Sequence, residues 1–109
     1  MKKELLPIGS VVLLKDGIKK AMITGYFPVT NVGGKKVAYD YSGCVFPEGI
    51  LSSDQLGMFN YEQIREVIFE GFKNEESLAL IERIEKIDKN IALQNYQNES
   101  SNEIEELDY

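Results

Sequence analysis

The chain lacks histidine and tryptophan and has one cysteine, Cys44, among its 109 residues. Without histidine, Ser-His and Cys-His catalysis has no general base, and the commonest transition-metal ligand is missing. A single cysteine cannot form an internal disulfide, and its position among strand residues indicates a buried small side chain rather than a reactive thiol. The sequence therefore predicts no enzyme activity, no metal and no cofactor.

Positive charge is also scarce, with 12 Lys and Arg against 18 Asp and Glu, a net charge of −6. This balance disfavours nucleic acid and anionic lipid as partners, because both need a clustered basic surface. The aromatic residues could form a stacking platform of the kind that small barrels use for single strands, which makes a nucleic-acid or regulatory binding module the second alternative. With so few cations among them, core or protein-interface packing is favoured. These aromatic residues are Tyr26, Tyr39, Tyr41, Phe59 and Tyr61.

Long apolar runs are absent. Pro7 and Gly9 interrupt the apolar residues near the N-terminus, so no signal peptide is predicted. No stretch approaches the roughly 18 apolar residues of a membrane span. We expect a cytoplasmic protein.

The first half of the chain has the patterns of an antiparallel sheet. Hairpin turns are indicated at Asp16-Gly17 and in the loop 31–35, and glycines at Gly25 and Gly43 indicate bulges that bend the strands. The predicted strands cover residues 10–14, 19–29 and 36–46. Residues 50–57 have no regular period and are predicted to be a loop.

The stretch 58–72 is predicted to close the domain. Asn60 with Gln63 favours a short helical turn over 60–65. Val67 and Phe69 then fall on the two-residue period of a strand with both faces partly covered.

A C-terminal amphipathic helix is predicted over 74–94, with Asn74 as its N-cap. Leu80, Ile84, Ile87 and Ile91 form one apolar seam on it. This seam either packs on the domain's own sheet or pairs with a partner helix or a second copy, giving a homodimer. Residues 95–109 are acidic and predicted to be disordered.

These elements predict an α+β fold: a bent antiparallel sheet, or SH3-like half-barrel, of four to five strands, with a short helical turn before the last strand. The predicted organisation is a β-rich domain at 1–73, the amphipathic helix at 74–94 and the acidic tail at 95–109.

Three segments resemble one small family: LPIGSVVLLK ending at Lys15, YDYSGCVFPEG at 39–49, and FNYEQIREVIFEGF at 59–72. It is a Firmicute family of domains of unknown function, associated with type VII secretion and LXG polymorphic toxin loci, and similar to EsaE-like accessory proteins. The resemblance covers residues 5–76. It implies a cytoplasmic, chaperone-like adaptor that binds the N-terminal targeting region of a secreted toxin and assists its delivery. The alternative is an immunity protein that neutralises the cognate toxin.

Two surfaces are candidate protein-binding sites. One is a face with the following loop, and the other is the helical seam. The first comprises Tyr39, Tyr41, Pro47, Glu48, Ile50 and Leu51; the second comprises Leu80, Ile84, Ile87 and Ile91.

Overall fold

The computed structural model describes residues 4–52, 56–87 and 89. Within these residues the chain forms a five-stranded antiparallel sheet, a separate two-stranded sheet, a 3-10 helix at Tyr61–Gln63 and one α-helix, α1, at Glu75–Glu85. The strands are β1 (Val11–Leu14), β2 (Lys20–Tyr26), β3 (Val29–Val32), β4 (Lys35–Ala38), β5 (Tyr41–Phe46), β6 (Gly57–Phe59) and β7 (Ile64–Phe69). The order in the larger sheet is β6-β5-β2-β1-β7, and β3 pairs with β4. The predicted α+β class with a 3-10 turn before the last strand is confirmed.

The hairpin between β1 and β2 and the bend in β2 lie where the sequence predicts them. The Gly17 amide donates to the Leu14 carbonyl at 3.2 Å, which closes the turn. The β2–β5 register slips between Ile23 and Gly25, opposite Gly43, so the predicted bulge is there. Gly43 lies on the partner strand, and a Cβ on it would lie 2.9 Å from the Phe59 ring. The bend therefore brings strand backbone and an aromatic ring into close contact.

The predicted strand 36–46 is wrong, because two strands in two different sheets occupy it. Phe27 has a left-handed φ of 53°, and Pro28 follows it, so β2 ends and the chain turns out into the β3–β4 hairpin. The chain rejoins the larger sheet at β5, where the Phe27 amide donates to the Asp40 carbonyl at 3.0 Å. The predicted loop 50–57 is also shortened, since β6 begins at Gly57.

The closing strand β7 is an edge strand, which contradicts the prediction that both its faces are partly covered. It pairs with β1 alone and is exposed along nearly its whole length, with Phe69 61% exposed. Its register with β1 shifts twice, as it does where a strand contains a bulge. Such irregular pairing makes an edge strand a poor template for pairing with another strand. Periodicity alone does not distinguish an edge from a central strand.

The core lies where α1 and the N-terminal segment pack against one face of the larger sheet. Its buried members are Leu5, Val12, Ile23, Tyr41, Phe59 and Ile81. The hydroxyl of Tyr26 donates to the Leu6 carbonyl at 2.6 Å, and the Leu6 amide donates to the hydroxyl of Tyr41 at 3.1 Å. Two tyrosines therefore hold the N-terminal segment against the sheet.

Helix α1 begins as predicted but buries a different face. The Asn74 side chain accepts from the Ser77 amide at 2.8 Å, which confirms the N-cap. Ile84 packs against the core, whereas Leu80 and Ile87 are 40% and 41% exposed. The buried residue is Ile81, which the predicted seam omits. Helix α1 ends at Glu85, with Lys86 as its C-cap, which is short of the predicted end at residue 94. Ile91 and the tail lie outside the described residues. Within the described ranges, no helix has both the length and the apolar character to cross a bilayer.

The buried hydroxyl of Tyr41 leads us to expect a loss of stability at alkaline pH. Burial raises the pKa of its hydroxyl above the ordinary value of 10.0, and burial raises that of Tyr26 as well. The unfolded tyrosines lose their protons first, so this contribution to stability is complete below pH 10 and is lost as pH rises from there through the folded pKa. We expect the free energy of unfolding, from urea titrations between about pH 8 and about pH 11, to fall more steeply in wild type than in Tyr41→Phe. Equal slopes would contradict this.

Candidate binding site

A pocket of about 480 Å³ opens between the β1–β2 hairpin and the 3-10 helix. We call it the hairpin pocket. Its floor comes from β2, β5 and β6, and includes Ala21, Val45 and Phe59. This volume is within the range of about 300–1,000 Å³ that ligand sites in proteins occupy. The floor is mainly apolar, so the pocket suits an apolar group.

Two glycines line the pocket. Gly43 and Gly57 lie directly opposite each other in the β5–β6 ladder, so any side chains there would project to the same face. A Cβ on Gly43 would lie 2.8 Å from the Met22 carbonyl oxygen, so that position accepts no side chain as it stands. A Cβ on Gly57 would meet only the Gly43 carbonyl oxygen at 3.8 Å, an ordinary contact. A side chain at Gly57 could therefore fill the pocket without displacing the backbone.

The hairpin wall of the pocket carries three lysines. Lys19 donates to Glu48 at 2.5 Å, and this hydrogen bond lowers the pKa of the Glu48 carboxyl. Lys15 and Lys20 are exposed and form no salt bridge with any described residue. The wall thus presents two cations that no described residue neutralises directly.

The opposite wall is the 3-10 helix, which contributes Glu62 and Gln63. The Asn60 amide donates to the Gln63 side chain at 2.8 Å, the reciprocal cap predicted from the sequence. Asp40, only 1% exposed, accepts from the Tyr61 amide at 2.7 Å. These bonds hold the wall in a fixed position beside the floor.

Lys89 connects the chain after α1 to the same wall. Its ammonium group donates to the Asn60 side-chain oxygen at 2.9 Å and lies 3.4 Å from a carboxylate oxygen of Asp40. The buried carboxylate therefore has both a backbone donor and a cation near it, as a buried charge requires.

Exposed apolar side chains surround the hairpin pocket. Ile18 is 94% exposed at the tip of the hairpin, between two pocket residues. Leu56, directly before Gly57, is 42% exposed. An apolar floor and an apolar margin together form a surface of the kind that proteins use to bind one another.

The model of one family, a domain of unknown function (DUF4176), matches residues 5–80. The chain belongs to this family. The match includes all seven strands and every residue of the hairpin pocket. The prediction of a small domain family of unknown function is thereby confirmed. No curated protein and no solved structure matches the chain.

In this DUF4176 domain, one of the predicted loop residues, Glu48, is tied to the hairpin pocket by its bond to Lys19. Tyr39 is half-buried, and the loop residues are exposed: Pro47, Glu48, Ile50 and Leu51. Leu51 is 71% exposed, and Glu48 holds Lys19 of the pocket wall. Tyr41 is fully buried in the core, so its predicted position on an exposed face is wrong. Its alternation with Tyr39 suggested one surface, but the chain passes from one sheet to the other between them.

The predicted helical residues do not join this surface. Leu80 and Ile87 are exposed on or directly after α1, Ile84 packs on the core, and Ile91 lies outside the described residues. None of the residues that line the hairpin pocket comes from α1. The two predicted surfaces are therefore separate.

Sequence reasoning missed the hairpin pocket itself. Its residues come from four stretches of the chain, and only the strand pairing brings them together. The one local signal was three lysines close together around the Asp16-Gly17 turn in a chain that is acidic overall. Among the described residues, no group of three or more Cys, Asp or Glu side chains is arranged to hold a metal.

Proposed function

We propose that this DUF4176 domain is a non-catalytic adaptor that binds a protein partner through the hairpin pocket, and that the partner is a type VII-secreted LXG-type toxin. The observation that carries the binding role is the apolar pocket with exposed apolar side chains around it. The choice of partner is supported by the three segments that resemble accessory proteins of such toxins. In this role the domain binds the toxin's N-terminal targeting region in the cytoplasm and assists its delivery.

The energetics of such a contact favour one large apolar anchor. Burial of apolar surface contributes about 25 cal/mol per Å², and a few buried side chains dominate most interfaces. A partner side chain in the pocket would cover Ala21 and Val45, while Ile18 would pack beside it. The fixed position of the 3-10 wall lowers the entropic cost of binding, because little of the site has to become ordered.

Gly57→Leu is expected to abolish co-purification with the proposed LXG-type toxin partner. The new side chain would occupy the pocket, and the Cβ has room, so the melting temperature should stay within a few degrees of wild type. The measurement is co-purification from cells that express both proteins, with circular dichroism melts of each variant. Asn31→Leu is the matched control, since it adds the same side chain at an exposed strand position outside the pocket.

Phe72→Asp tests the competing surface. Phe72 is 77% exposed, lies three residues after the end of β7 and is not part of the pocket. Retained binding in Phe72→Asp and lost binding in Gly57→Leu support the proposal; the reverse pattern would place the interface on the β7 side.

Fragments of the toxin distinguish the delivery role from the immunity role. Capture of the N-terminal region supports delivery, whereas capture of the C-terminal region alone would make the domain an immunity protein.

A further inference from the structure

The two walls of the hairpin pocket differ in charge, and this difference bears on what the pocket accepts. The hairpin wall has Lys15, Lys19 and Lys20 against one carboxylate, Asp16, and the opposite wall has Glu62. We infer that the pocket receives an acidic segment of the partner, with a large apolar side chain on the floor and carboxylates beside Lys15 and Lys20. This inference rests on the proposed function and specifies the chemistry of its partner.

Lys15 and Lys20 are the groups that would recognise those carboxylates. Lys19 is already bound to Glu48, so its charge is largely neutralised. Lys15 directly precedes the Asp16-Gly17 turn, Lys20 lies three residues after it, and neither has a salt-bridge partner among the described residues. An ammonium group can move on its flexible stem to meet a carboxylate, and the apolar part of the stem then covers the rim.

The charge of the whole chain makes this local cluster more selective. With a net charge of −6, the chain repels an acidic segment at long range. Attraction is therefore confined to distances below the Debye length, about 8 Å at physiological ionic strength. An acidic segment is held only where its carboxylates meet the hairpin lysines, and this fixes the orientation of the apolar anchor.

The volume sets the size of the anchor. A cavity of about 480 Å³ has room for an aromatic side chain together with part of a neighbouring residue. A charged group placed deep inside would lose its hydration without gaining a polar partner, because the floor is mainly apolar. The carboxylates must stay at the rim, next to the anchor in the partner's sequence.

Two fluorescently labelled peptides test the inference on the full chain. Both carry one Phe anchor, and its neighbours are Glu in one peptide and Lys in the other. By fluorescence anisotropy at low salt, we expect the Glu peptide to bind at least about tenfold more tightly, a difference that shrinks as salt screens the charges. The double variant Lys15→Glu/Lys20→Glu should remove or reverse this preference. Lys35→Glu, which places the same change on the β3–β4 hairpin, should leave it intact.

Each result has a defined meaning. Equal affinity for the two peptides, tighter binding of the Lys peptide or binding of neither overturns the inference. Saturable binding of decanoate without peptide binding also overturns it, because the pocket would then be a site for a small amphipathic carboxylate. If the toxin is captured and Gly57→Leu releases it, the proposed function stands even where the peptides fail. If the Glu peptide is preferred but no toxin is captured, the adaptor role for a toxin is wrong and the acidic preference remains.

Discussion

Ile81→Asp is expected to unfold the domain, whereas Leu80→Asp, one residue earlier on the same helix, leaves it folded. Ile81 is 8% exposed and belongs to the core cluster, while Leu80 is 40% exposed. A carboxylate at position 81 would be buried without a partner and would leave a cavity, a change that costs about 3–5 kcal/mol. That loss is a large fraction of the stability of a domain of this size.

Circular dichroism melts of the two variants measure the effect directly. The pair controls for helix propensity and for the added negative charge, because both changes are a branched apolar residue to Asp within α1. We expect no cooperative transition for Ile81→Asp and a melt close to wild type for Leu80→Asp. Similar melts in both variants would mean that α1 does not pack through Ile81.

Gly71→Ala has the second-largest expected effect. Gly71 is buried, and a Cβ there would collide with the Ile8 carbonyl oxygen and lie 2.9 Å from the Ser10 amide nitrogen. The neighbours are backbone atoms and cannot rotate away, so the chain after β7 must shift. This movement would also weaken the 2.9 Å hydrogen bond from the Gly71 amide to the Ser10 hydroxyl. We expect a loss of about 3 kcal/mol in the free energy of unfolding.

Urea titration of Gly71→Ala against Gly17→Ala checks this expectation. Both variants add one methyl group and restrict the unfolded chain equally, so the unfolded-state contribution cancels. Only at Gly71 does the new atom meet backbone closer than 3.4 Å. Matching midpoints for the two variants would show that the segment around Ile8 can move aside at little cost.

Local features of this fold could be read from the sequence. The Asp16-Gly17 turn, the bulge near Gly25 and the Asn74 cap each depend on residues close together in the chain. Such signals act through backbone conformation and short hydrogen bonds, which the sequence specifies directly. The fold class followed from them.

The errors concern features that depend on distant residues. Phe27 has a left-handed φ, a conformation that usually indicates glycine. Because no glycine marks this position, the sequence did not predict that the chain leaves the larger sheet there to form the β3–β4 hairpin. The exposure of β7 depends on which strands lie beside it, and the choice of Ile81 over Leu80 depends on where the helix meets Leu5 and its neighbours. The hairpin pocket was missed for the same reason, because β5 and β6 complete its floor only after pairing.

The position of β1 between β2 and β7 has a consequence for how the domain forms during synthesis. The first strand pairs with the last, and Ser10 bonds to Gly71, 61 residues further along. A nascent chain can close the β1–β2 hairpin early, but the β1 edge stays open until β7 has left the ribosome. The core also needs Ile81, which is translated later still. Because closure depends on such long-range contacts, the domain should complete its folding only after nearly all of it has emerged, and slowly relative to helical proteins of similar size.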